Sequence, residues 1–237
     1  MATARETIKK GLRKLRVIGQ GESPDSATLT DCLDALNKLL VEIVGFGGSH
    51  ALQGRTINTS YELSARDPAV RLLCRHSSPI TITLPSVETM EVYDGMRLGV
   101  VDVSNNASTN NISIARNSWL LEGATADLTL NTNNINRVWM FRGDLGDWKR
   151  ATDLAVDDSL PFPTDLDESM ALIFANRVGG EFGQELRPSD LALARSALRH
   201  LSAKYVPAVR MAPDSSVTHM GGARRFGLSQ SDWENMT

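Results

Sequence analysis

At 237 residues, 41% of them apolar and 22% charged, the chain has ordinary globular proportions and enough length for one generous core plus a smaller module. Wholesale disorder and a fibrous repeat do not fit those figures. No apolar run approaches the roughly 20 residues of a membrane-spanning helix, and the charged N-terminus lacks the apolar centre of a signal peptide, so a soluble protein made in a cytoplasm, with no membrane partner, is expected.

The net charge of -3 conceals an asymmetry, because residues 1–20 carry six basic side chains (Arg5, Lys9, Lys10, Arg13, Lys14, Arg16) against the single acid Glu6. In the same stretch Ile8, Leu12 and Leu15 recur at helical spacing, which leaves Lys9, Lys10, Arg13, Lys14 and Arg16 as a basic face. Such a face suits nucleic acid or an acidic protein surface, or is simply solvated. Gly19 and Gly21 supply a stop, and Ser23-Pro24 offers a cap and first turn for a second helix. Leu29, Cys32, Leu33, Leu36, Leu39, Leu40 and Ile43 then form a wide apolar stripe, ended by Gly45, Gly47 and Gly48. The two helices are expected to pack as an antiparallel hairpin over residues 1–48.

Residues 49–160 read as a β-rich insert. Alternation predicts strands over 57–63, 70–74, 80–84, 96–103, 112–115, 119–121, 128–130 and 138–142, separated by Asn/Ser/Thr turns. Strands this short, linked by turns this frequent, suggest an antiparallel sandwich or small barrel. Beyond Pro161 and Pro163, Thr164-Asp165-Leu166-Asp167 has the form of a capping box. Leu166, Met170, Ile173, Phe174 and Val178 follow on one helical face, and Leu191, Ala194, Leu198, Leu201 and Tyr205 on another, giving a second hairpin over 161–205. Residues 206–237 lack any stripe and read as an extended C-terminal arm, yet Met211, Met220, Phe226, Leu228 and Trp233, with Arg224 and Arg225, suit an arm that orders against a partner. The expected architecture is therefore α+β: a helical bundle from N- and C-terminal helix pairs, an inserted antiparallel β module and an extended arm.

No catalytic motif stands out. The histidines (His50, His76, His200, His219) lack metal-ligand spacing and read as surface or capping residues, and there is no Gly-x-Ser-x-Gly elbow. Gly45-Phe46-Gly47-Gly48 follows a helix and has no lysine where a phosphate loop needs one. Asp157, Asp158, Asp165, Asp167 and Glu168 could bind a cation or act as acid and base, but a linker plus negative charge at a helix N-terminus accounts for them. Cys32 and Cys74 read as reduced, partly buried thiols. Trp119, Trp139 and Trp148, with Phe141, would either stack on sugars if exposed or form the core of the β block. No cofactor is expected and no enzyme activity is assigned; a hydrolase built on the 157–168 carboxylates is the weakest alternative.

Ala4-Arg5-Glu6-Thr7-Ile8, Gly21-Glu22-Ser23-Pro24 and Asp34-Ala35-Leu36-Asn37-Lys38-Leu39-Leu40 resemble the opening of the head-to-tail adaptor, or tail accessory factor, proteins of short-tailed bacteriophages, which stabilise packaged DNA. Leu166 to Leu172, Asn176-Arg177, Glu181-Phe182-Gly183, Pro188 and Ala192 to Leu201 are similar to that family's closing helix pair. Between them, Gly95-Met96-Arg97, Val100-Val101-Asp102-Val103 and Asp144-Leu145-Gly146-Asp147-Trp148 resemble a β module of phage tail-associated proteins. The resemblance implies a virion structural protein that assembles in the host cytoplasm as a ring of about twelve copies. That ring would sit beneath the portal, extend the channel for double-stranded DNA without reading sequence, help retain the genome and dock nozzle or fibre proteins. The C-terminal arm would engage the portal or another partner. A carbohydrate-binding tail module is the alternative.

Overall fold

A computed structural model describes residues 2–44, 54–64, 69–86 and 92–205, and these hold four helices and ten strands. Helix α1 (Ala4–Lys14) opens on a capping box in which Thr3 Oγ1 accepts the Glu6 N–H at 3.2 Å and Glu6 Oε2 accepts the Thr3 N–H at 3.0 Å. It buries Ile8, Leu12 and Leu15, as their spacing predicts. The helix stops before the glycines: Arg16 adopts φ 61° and the Val17 N–H returns to the Leu12 carbonyl at 2.9 Å, a six-to-one closure in which an arginine takes the left-handed position. Helix α2 (Ser26–Ile43) starts two residues later than Ser23-Pro24 suggests, because the Asp25 carboxylate accepts both the N–H (2.8 Å) and the hydroxyl (3.1 Å) of Thr28.

The Thr164 capping box does not form. Thr164–Leu166 make a single 3-10 turn, with the Leu166 N–H bonded to the Pro163 carbonyl at 3.0 Å, so the backbone satisfies the first turn itself. Helix α3 (Asp167–Val178) follows and buries every residue from Met170 to Ala175, together with Val178. A helical stretch buried all round belongs in the middle, and α3 packs against α1, α2 and α4 (Pro188–Tyr205). Gly11 lets α1 approach closely, since a Cβ there would lie 2.6 Å from Phe174 Cδ1. On α4 the buried stripe runs through Ala194 and Leu201, with Leu191 and Ala197 partly covered; Leu198, expected in the core, is 40% exposed and Leu193 57%.

The strands are β1 (Gly54–Ile57), β2 (Tyr61–Glu62), β3 (Ala69–Cys74), β4 (Ile80–Thr83), β5 (Arg97–Asp102), β6 (Ile112–Ala115), β7 (Leu120–Leu121), β8 (Leu128–Leu130), β9 (Asn136–Arg142) and β10 (Asp147–Arg150). They form two sheets, ordered β1-β3-β5-β9-β10-β7 and β2-β4-β6-β8. The expectation of an antiparallel module is corrected here, because both sheets are mixed. β1, β3 and β5 run parallel, as do β2, β4 and β6, while β9 and β8 pair antiparallel to the last members of those sets. Each of the first three strand pairs crosses from one sheet to the other before the next begins, so successive crossings return in the same direction and stack as rungs of a coil. The alternation over 57–63 spans one such corner, which is why it belongs to two strands.

Inside the coil lie Val70, Leu72, Cys74, Ile80, Ile82, Leu98, Val100, Ile112 and Ile114. A second apolar cluster lies among the helices, and strand β9 separates the two: Trp139 and Phe141 enter the coil, whereas Val138 and Met140 pack with Leu12, Leu36 and Phe174. Alternate residues of a strand point to opposite faces, so a strand buried on both faces reads as the continuous run from Val138 to Arg142. The described residues all fall within one compact unit.

Candidate interaction surface

The basic face of α1 is divided by its local partners. Lys14 Nζ pairs with Glu168 Oε1 at 2.6 Å, and that bond raises the Lys14 pKa. Upstream, Arg5 Nε pairs with Asp157 Oδ1 at 2.8 Å. Arg13 donates to the Glu22 carbonyl at 3.2 Å and stays exposed, as do Lys10 and Arg16. Lys9 is half-buried. Lys9, Lys10 and Arg13 line a cleft of about 320 Å³ together with Ala2, Glu6 and Asp167. The arrangement is a shallow, positively biased surface with two carboxylates at its rim.

The acidic run opposite it is largely taken up by the same helix and its surroundings. Asp157 holds Arg5 and Glu168 holds Lys14, while Asp158 accepts from Arg150 at 3.3 Å and from the Ala155 N–H at 2.8 Å. The Ala4 N–H donates to the Asp158 carbonyl and the Arg5 N–H to the Val156 carbonyl, so the N-terminus is stitched to this linker by backbone as well. These carboxylates hold the chain's own cations, and among the described residues no group of three or more metal-ligating side chains comes together.

Trp139 and Trp148 are fully buried, and Trp119 is half-buried, with its Nε1 donating to the Pro85 carbonyl at 2.8 Å and its ring edge-on to Phe141. Trp139 Nε1 donates to Glu122 Oε1 at 2.8 Å, and the same carboxylate receives a two-pronged contact from Arg150 at 2.9 and 2.6 Å. Desolvation pushes the Glu122 carboxyl up, but the bonds from Arg150 and Trp139 together outweigh it and leave the group below the usual glutamate range. No sequence signal marks Glu122; it is recognisable only once the Leu121–Ala124 turn, with φ 53° at Glu122 and 81° at Gly123, sets it beside Arg150.

No protein-family model matches the chain, and no curated protein matches it significantly.

Of the surface or capping roles expected of the histidines, His76 does not take the surface one: it is buried, and its Nε2 lies 2.8 Å from the Asn110 carbonyl. His200 is exposed, as expected. Burial pushes the Cys32 thiol up to about 11 and the Cys74 thiol up to about 12, and both cysteines are free. His50, His219 and the arm residues Met211, Met220, Arg224, Arg225, Phe226, Leu228 and Trp233 lie outside the described residues.

Proposed function

We propose that this protein is a structural head-to-tail adaptor of a short-tailed phage, assembling as a ring under the portal. Terminal helix pairs would make the ring-forming bundle, and the β coil would be a laterally inserted module that offers surface to nozzle or fibre proteins. One observation carries the reading most: helices from both ends of the sequence share one apolar core, with α1 seated on α3 across the Gly11–Phe174 approach, while about a hundred residues of β structure intervene. A body closed in that way leaves the exposed face of α1 available for repeated contacts. The ring would extend the DNA channel and help retain the genome, with the C-terminal arm reaching the portal.

Mass measurement on the purified full chain, alone and mixed with the portal of the same virus, tests the reading. A ring on the portal is expected; portal that stays bare at high protein concentration would sink it. Deleting residues 209–237 is expected to abolish docking while the melting transition of the remainder persists. The carbohydrate-module alternative requires exposed rings at Trp119 and Trp139, and the burial of Trp139 removes half of that platform. Tight glycan binding lost in Trp119→Ala would revive it.

A further inference from the structure

We propose that the basic face of α1 receives the acidic outer face of α2 from a second copy of this chain, an inference that rests on the adaptor reading above. On one side stand Lys9, Lys10 and Arg13, which line the cleft beside α1 and are in no ion pair among the described residues. On the other stand Asp31 and Glu181, both exposed and also outside any ion pair there. Arg177, near the end of α3, pairs with Glu42 of α2 at 2.8 Å, and Glu42 shares a helical face with Asp31, so the turn that carries Glu181 follows directly on a contact with that face.

Among the described residues no ion pair joins the two patches within one molecule. The cleft under Lys9 and Lys10 includes Asp167, the first residue of α3, whereas Glu181 lies just past Val178, its last. At about 1.5 Å per residue the patches sit near opposite ends of a helix roughly 17 Å long. A positive patch and a negative patch separated in this way on one subunit define a heterologous contact, in which each copy gives one face and takes the other, and such contacts generate rings when the rotation closes.

The rim chemistry favours protein over DNA as the occupant. Glu6 and Asp167 line the basic cleft and would repel a phosphate backbone. On the acidic face Lys38, paired with Asp34 at 2.6 Å, supplies a cation that can meet them. Complementary mixed charge of this kind fixes register as well as attraction.

The test uses the full chain as an equal mixture of unlabelled and nitrogen-15-labelled protein. A zero-length carbodiimide, which joins amines to carboxylates, is applied at concentrations up to about 1 mM. Mixed-isotope links from Lys9 or Lys10 to Asp31 or Glu181 are expected. The variants Lys9→Glu/Lys10→Glu/Arg13→Glu and Asp31→Lys/Glu181→Lys should each lose association on the order of a hundredfold, and mixing the two should restore it. If copies link through other residues and both variants associate like wild type, the inference falls and the ring reading stands. If wild type gives no mixed-isotope product while portal-bound rings still form, the contact is again refuted without touching that reading; if neither forms, both are overturned. Random-sequence duplex DNA bound by wild type and lost in the triple variant, without association between copies, would assign the face to nucleic acid instead.

Discussion

The side-chain amide of Asn37 grips the backbone of Leu154 at both polar groups: Nδ2 donates to the carbonyl at 3.0 Å and Oδ1 accepts the N–H at 2.8 Å. A helix thereby completes the hydrogen bonding of a segment 117 positions away. Leu154 itself is buried in the helical core, so its amide groups have little access to water. Replacing Asn37 by Ala strands both groups and is expected to cost about 2–3 kcal/mol. Asn37→Asp keeps the acceptor but sets a carboxylate oxygen against the Leu154 carbonyl, so above the carboxylate range it should be no more stable than Ala. Urea unfolding of the three proteins checks the order, and an unchanged midpoint in Asn37→Ala would show that the clamp contributes nothing.

Gly11 illustrates packing against propensity. Alanine is the better helix former by about 1 kcal/mol. Its Cβ, however, would fall 2.6 Å from Phe174 Cδ1 and 3.2 Å from the Ala171 carbonyl oxygen, and both neighbours belong to the tightly enclosed α3. Overpacking of that kind costs about 1–3 kcal/mol, so Gly11→Ala should lower stability despite the gain in propensity. Combining it with Phe174→Leu should cost less than the two single changes added, because the leucine frees the space the new methyl needs. Strict additivity in that cycle would refute the steric account.

The Glu122–Arg150 pair sets a pH dependence. Because the folded carboxyl sits below its ordinary value, its contribution to stability is fully present above the ordinary glutamate range and is lost as pH falls through the depressed folded value. Unfolding midpoints measured from about pH 7 down to about pH 3 should therefore fall less steeply in Glu122→Gln than in wild type. The variant should also be less stable at neutral pH, since Arg150 loses its closest carboxylate. Parallel pH profiles would assign the acid sensitivity elsewhere.

Both cysteines should be inert while the protein is folded. Burial holds the thiols at about 11 and about 12, far from the value at which thiolate forms near neutrality. An aromatic disulfide reagent at about pH 8 is expected to titrate neither in native protein and both in urea. Rapid reaction of one thiol without denaturant would mean that its cluster opens locally.

Much of the helical half is legible in the sequence, because a buried helical face repeats at a local spacing. Ile8, Leu12 and Leu15, the α2 stripe and the α3 face from Leu166 to Val178 all lie where their spacing predicts. The α+β class is equally legible, as are the core roles of Trp139 and Trp148 and the buried state of the cysteines. Local pattern failed where a partner distant in sequence decides. Alternation places strands but carries no sign of their direction, so the parallel rungs of β1, β3 and β5 were invisible to it. β10 is missing from the strands that alternation predicts, because its pairing with β9 supplies the strand and not its own pattern.

The candidate surface divides along the same line. Composition alone identifies a basic first helix, and residues 157–168 are visibly acidic. Only the tertiary structure joins Arg5 to Asp157 and Lys14 to Glu168, withdrawing two cations from the face and leaving Lys9, Lys10, Arg13 and Arg16 outside any ion pair among the described residues. Side-chain charge is a property of the residue and can be read from the chain, whereas its neutralisation is a matter of distances of a few ångströms that folding alone creates.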